Sequence, residues 1–410
     1  MRALTEGIKS GVASRKFWIV AAVWLICLFY VLFQGGKTSL MLFVMVSLLA
    51  AYWLLGSLGG VKRIRGTRSL SLDGEHGSLL QAGDQVLVRL NLQLPAFAAI
   101  SYFIVKESLQ RHNGDTWAFE DSVVPQFRVR SELVYKTPPL ERGKYTFNGT
   151  LCSAEDIFGL MEHTGVFHAG GEFRILPRTV FIPHWGLYSR NSRMAGPETA
   201  ITLSRRETTQ INGVRDYVYG DRISRIHWNA TAKTGTWKSK EFEHESLPKT
   251  MLVLDAHASG YVRPDEFELA VSTAASLLEY GARERISMGM YTMGKMLRSF
   301  PPAEGYLERQ QMIHHLVDID ADGQGRHKEQ LEAHQELFQP GSFFILITPL
   351  ADDQALAMLN WAKARQMIPY HIQIGEPHAG WQSVLHERGL RGVCVSALSE
   401  LPIVIGGAKL

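Results

Sequence analysis

TMLVLDAHAS, residues 250–259, decides how the second half of this chain folds. Thr250 to Asp255 is a continuous apolar run ending on a carboxylate, the pattern of a strand buried on both faces of a parallel sheet. The loop after it, Asp255-Ala256-His257-Ala258-Ser259, places polar groups two and four residues beyond the acid. Ligands of open α/β sheets sit at the carboxyl edge, so Asp255, His257 and Ser259 are candidate functional residues.

Toward the carboxyl terminus the same rhythm continues. Pro264, Asp265 and Glu266 open a helix whose buried stripe runs Phe267, Val271, Ala274, Leu278. A strand over Ser287 to Met293 comes next, then helices near Leu307 to Leu316 and Lys328 to Phe338, and the strand FFILIT, Phe343 to Thr348. Helix Gln354 to Ala364, strand Pro369 to Ile374, helix Trp381 to Glu387 and strand Gly392 to Val395 complete the series. Right-handed βαβ crossovers then give a doubly wound α/β domain over residues 249–410. No GxGxxG or Walker sequence succeeds the first strand, so nucleotide binding is not implied.

Toward the amino terminus the period changes to two. Gln85 to Leu94 alternates through Val86, Val88, Leu90 and Leu92, which directs one face toward a core. Pro125 to Tyr135, Gly143 to Cys152 and Glu172 to Ile182 repeat the theme, with turn residues between them at Asn113-Gly114, Pro138-Pro139 and Gly170-Gly171. The expectation is an antiparallel β-sandwich over residues 69–185 and a connecting segment over 186–248. Before it, uncharged runs extend from Phe17 to Gly36 and from Thr38 to Val61. Each is long enough for a bilayer core, so residues 1–68 are expected to form two transmembrane helices, about 17–34 and 39–58, with the lipid bilayer as a partner. Arg2, Lys9, Arg15 and Lys16 precede them and Lys62, Arg63, Arg65 and Arg68 come after. By the positive-inside rule both termini face the cytoplasm, making this a multi-pass inner-membrane protein.

Composition narrows the function. Among 410 residues, 43 Lys plus Arg against 40 Asp plus Glu leave a net charge of +3, too balanced for a protein that holds nucleic acid by counterion release. Cys27, Cys152 and Cys394 are isolated, excluding a disulfide framework or a cysteine zinc cage. His314, His315, His371, His378 and His386 form no HExxH pattern, and no GxSxG elbow is present. These absences favour a binding protein over an enzyme.

Arg215 to Glu245 interleaves Tyr217, Tyr219, Trp228 and Trp237 with charges of alternating sign, as residues that close a seam between domains would. Its order, Tyr219-Gly220-Asp221, then Arg225, His227 and Trp228, then Lys233, resembles the signature of the DUF58 family. RGKYTF (Arg142 to Phe147) and DIFGL (Asp156 to Leu160) are similar to that family's upstream sequence. The family usually has Arg where Lys233 stands, and an ammonium lacks the planar fork for a bidentate carboxylate contact. The resemblance implies a C-terminal domain similar to the von Willebrand factor A fold, in which an Asp-x-Ser-x-Ser loop holds magnesium. Asp255, His257 and Ser259 then correspond to that loop with its middle serine replaced by His257, and Thr348-Pro349-Leu350 stands where an aspartate is expected. Magnesium prefers hard oxygen ligands, so a degenerate divalent-cation loop is the expectation. The helices, the domain order and the missing catalytic motifs together lead to the expectation of a non-catalytic, membrane-anchored adaptor that docks proteins, and the family resemblance implies that it works with a MoxR-type AAA+ ATPase. The alternative is a metal-dependent receptor or enzyme acting at Asp255, His257 and Ser259.

Overall fold

The computed structural model describes the backbone of residues 2–59, 61–72, 79–94, 102–124, 130–155, 162–188, 207–219, 223–244, 249–295 and 297–407. The chain divides into two compact units, Met1–Ile175 and Leu176–Leu410.

The first unit begins with helices α1 (Arg2–Gln34) and α2 (Lys37–Gly59). They pack through Trp24, whose Nε1 donates to Ser47 Oγ at 2.9 Å and whose ring lies 5.5 Å from Phe43. Phe33, Met41 and Leu48 remain exposed along them. Among the described residues no helix is long and apolar enough to cross a membrane. This corrects the expectation of two transmembrane helices, and with it the multi-pass inner-membrane location inferred from the flanking cations.

Among the described residues nine strands complete this unit: β1 (Arg65–Leu72), β2 (Val86–Gln93), β3 (Phe103–Arg111), β4 (Thr116–Val123), β5 (Arg130–Lys136), β6 (Gly143–Phe147), β7 (Thr150–Glu155), β8 (Glu162–Phe167) and β9 (Glu172–Ile175). One antiparallel sheet has the order β1-β2-β5 and the other β8-β7-β3-β6-β9, with β4 paired to β3. The period-two face of β2 is buried, and Leu90 and Leu92 share a core with Phe103, Val105 and Cys152 of the opposite sheet. Between the sheets Glu107 accepts from Thr150 Oγ1 at 2.7 Å, from Tyr135 and from Arg68. Arg68 also lies 3.8 Å over the Phe147 ring. Burial, with the Glu107 charge, pushes the Cys152 thiol up to about 12, which removes it as a nucleophile.

The second unit holds a hairpin of β10 (Glu207–Asp216) and β11 (Lys238–His244), with the short helix α3 (Trp228–Thr234) between its strands. After it come β12 (Thr250–Asp255), α4 (Pro264–Arg283), β13 (Met288–Met293), β14 (Arg298–Ala303), α5 (Tyr306–Asp318), α6 (His327–Ala333), β15 (Phe343–Thr348), α7 (Asp353–Ala364), β16 (Ile368–Ile374), α8 (Trp381–Glu387), β17 (Arg391–Val395) and α9 (Leu401–Ile405). Their strands form one sheet in the order β14-β13-β12-β15-β16-β17, parallel except at β14. β14 has no counterpart among the strands expected from sequence, because Pro301 and Pro302 cannot donate to a ladder; an edge strand tolerates them. Side chains of α4, α5 and α9 cover one face of the sheet and those of α6, α7 and α8 the other. Ile182, Trp185 and Leu187 lie in the first of these cores, so residues 176–185 pack with the second unit rather than closing the sandwich. Chain connections leave β12 toward β13 on one side and reach β15 on the other, which makes the gap between their carboxyl ends the switch point of the sheet.

Candidate functional site

Asp255 ends β12 at that switch point with no exposed surface. Its Oδ1 accepts from the His257 backbone N–H at 3.0 Å and lies 2.8 Å from His257 Nδ1. Its Oδ2 accepts from Thr348 Oγ1, at the end of β15, at 2.7 Å. His327 Nε2 lies 3.2 Å from both carboxylate oxygens. The two imidazole rings sit 3.9 Å apart, centroid to centroid, and His257 Nε2 is buried with no hydrogen-bond partner among the described residues. Tyr261 closes the site from behind by donating its hydroxyl proton to the Asp255 carbonyl oxygen.

A glycine makes this convergence possible. The loop before α6 docks on the end of β12 through Gly323, whose N–H donates to Ala256 O at 2.8 Å. A Cβ there would stand 2.5 Å from Met293 O and 2.9 Å from Ala256 O, backbone atoms that cannot yield. The loop is pinned again where Asp322 Oδ1 accepts from Lys295 N at 3.0 Å. It then turns at Gly325, φ +102°, and delivers His327 at the start of α6.

Electrostatics follow from this packing. Burial opposes ionisation of Asp255, but hydrogen bonds from His257, His327 and Thr348 together with the charge of His327 prevail and hold the carboxyl well below its usual range. Burial likewise opposes the charge on His327, and its hydrogen bond and proximity to Asp255, with a further pull from Asp352, raise it above 6.5. Asp352 also caps α7, accepting from Gln354 N at 3.0 Å and Ala355 N at 3.1 Å. Asp352→Ala is therefore expected to cost about 1 kcal/mol of stability, measurable by urea unfolding; an unchanged midpoint would show that the cap contributes nothing.

Two of the three residues singled out at this loop, Asp255 and His257, meet in the cluster. Ser259 does not: it is exposed in the turn Ala258–Gly260. His327, which sequence reasoning missed, takes part instead. It lies 72 residues from Asp255, and its only local mark is a place after Gly323 and Gly325 at the head of a helix. Two imidazoles and one carboxylate are not the hard-oxygen set that magnesium needs, so the magnesium expected from the fold resemblance does not fit these residues. His371 and His315 are engaged elsewhere. His371 is enclosed in β16 and accepts from Trp381 Nε1 at 3.0 Å, while His315 Nε2 lies 2.9 Å from Thr292 Oγ1.

The signature segment is placed differently. Tyr219 is fully exposed, and Trp228 and Trp237 are exposed by 61% and 57%. Trp237 lies 6.3 Å from Trp228 and 5.8 Å from Tyr217, so the rings form a surface cluster rather than a closed seam. His227 caps α3, its Nδ1 accepting from Ala230 N at 3.1 Å. Lys233 is exposed on that helix, and Arg225 lies in the turn Ile223–Arg225. Gly220 and Asp221 lie outside the described residues.

Among solved structures the chain is similar to proximal thread matrix protein 1 of the mussel byssus. In one crystal form the TM-score is 0.30 and the identity 13% over 40% of this chain and 47% of that one, and in another the TM-score is 0.28. The chain thus spans under half the length of that protein. A Bacillus subtilis (strain 168) protein named "Uncharacterized protein YeaD" is 25% identical over 302 residues, 72% of each chain. Residues 213–372, from the β10 hairpin through β16, match the model of the family described as "Protein of unknown function DUF58".

Proposed function

We propose that this chain is a non-catalytic adaptor whose β10–α3–β11 unit docks a partner protein, and that the partner is a MoxR-type AAA+ ATPase, as the DUF58 resemblance implies. The observation that carries this reading is the cluster of Trp237 with Trp228 and Tyr217, both tryptophans exposed, in a segment that also leaves Tyr219 and Ile223 exposed. Large rings left in water on a short hairpin and helix are the residues that dominate binding energy at protein interfaces. They stand in the segment that begins the family match, so the signature residues Tyr219 and Trp228 belong to a surface and not to packing. We read the six-stranded domain as von Willebrand factor A-like, a scaffold that holds this surface. The rival reading, a receptor or enzyme acting at Asp255, His257 and Ser259, is weakened by the enclosure of Asp255, which no ligand larger than an ion could touch.

Binding of the full chain to a purified MoxR-type ATPase tests the proposal. Trp228→Ala and Trp237→Ala are each expected to weaken binding about 30-fold, the effect of losing an interface hot spot of about 2 kcal/mol. Their unfolding midpoints should move little, since substitutions at exposed positions usually stay within about 0.5 kcal/mol. Undiminished affinity in the double variant would sink the reading.

A further inference from the structure

We propose that Asp255, His257 and His327 form a binding site for a single divalent transition-metal ion of the zinc class. The site lies apart from the aromatic docking surface and does not depend on the adaptor reading. One potential ligand atom from each of the three residues lies within 4.8 Å of the others, and the residues are 0%, 3% and 8% exposed.

The convergence of two imidazole nitrogens on one fully buried carboxylate is the observation that points to a ligand. His257 Nδ1 stands 2.8 Å from Asp255 Oδ1, and a neutral imidazole presents a lone pair there when its proton sits on Nε2. Spacing agrees at His327, whose Nε2 stands 3.2 Å from each Asp255 oxygen. This is longer than the ~2.7–2.9 Å of a charge-assisted hydrogen bond and close to the roughly 3.3 Å edge of a tetrahedron with ~2.0–2.1 Å bonds.

Ligand chemistry selects the ion. Two imidazoles with one carboxylate suit zinc, cobalt(II) or nickel, whereas magnesium and calcium require oxygen ligands that the cluster lacks. Thr348 Oγ1 and the His257 backbone N–H, each bonded to Asp255, hold the carboxylate in place. Binding requires His327 to give up its Nε2 proton to solvent, so affinity should rise with pH.

The test uses the full chain, stripped with a chelator and titrated with zinc, cobalt(II) and magnesium. One equivalent of zinc should bind, cobalt(II) should show the intense visible bands of a tetrahedral site, and magnesium should not compete. His257→Ala and His327→Ala should each weaken zinc more than about 100-fold, beyond the ~10–100-fold lost with an orienting partner, and Ser259→Ala should leave it unchanged. His327→Gln keeps a donor toward Asp255 but removes the imidazole, separating loss of the ion from loss of the fold. A folded chain that binds neither zinc nor cobalt(II), or that binds magnesium as well as zinc, overturns the proposal. So does zinc binding that survives His257→Ala and His327→Gln. Trp228→Ala should bind zinc as the unmodified chain does.

Discussion

Asp255→Ala should lower the stability of the six-stranded unit by about 3–5 kcal/mol, the cost of removing one partner from a buried ion pair. The carboxylate is where β12, the His327 loop and β15 meet: it accepts from His257, His327 and Thr348 and is fully buried. Without it, His327 Nε2 and Thr348 Oγ1 both lose their buried partner, while the loop remains fastened through Gly323 and Asp322. Urea unfolding near neutral pH reads the effect. Ser259→Ala, in the exposed turn of the same segment, serves as control and should change stability by less than about 0.5 kcal/mol. If Asp255→Ala unfolds within 1 kcal/mol of the unmodified chain, roughly the worth of one neutral hydrogen bond, the cluster does not join these three elements energetically.

Acid should reveal the second large effect, through His371. This histidine is wholly enclosed in β16, and burial pulls its imidazole down from 6.5 to about 3. The folded state therefore keeps it neutral where the unfolded chain protonates it. Stability attached to this residue is complete above pH 6.5 and is lost progressively as pH falls toward 3. One proton taken up only on unfolding gives ~1.4 kcal/mol per pH unit, or about 3 kcal/mol between pH 6.5 and about 4. His327 has the opposite sense: its raised folded-state value adds stability that is present below 6.5 and lost as pH rises above it. Asp255, held low in the fold, enters only as pH falls through 3.8 and below. Among the described residues with shifted values, His371 is the one that titrates across the window from pH 6.5 to 4, and His371→Gln should flatten the stability profile there. A variant whose slope matches that of the unmodified chain would show that another group carries it.

Local patterns were legible wherever burial repeats with the period of the backbone. The alternation from Val86 to Leu92 is the buried face of β2, and Phe343 to Thr348 is wholly enclosed in β15. β14 escaped because its Pro301 and Pro302 contradict strand propensity, and only an edge position reconciles them. Gly143 to Cys152, which reads as one strand, is broken between Phe147 and Thr150 into β6 and β7, which pair with different parts of β3. The aromatic signature was visible as composition, but alternating charge suggested a closed seam where the rings are exposed.

The sequence by itself determined that Asp255 ends a buried strand with His257 two residues on, because an apolar run and the loop after it are local properties of the chain. Only the tertiary structure decided which residues complete the site. It excluded Ser259 by turning it outward and brought in His327 across 72 residues, through a loop that only glycine at 323 lets press against the strand end. No periodicity encodes such a meeting, since it depends on backbone approach between segments remote in sequence.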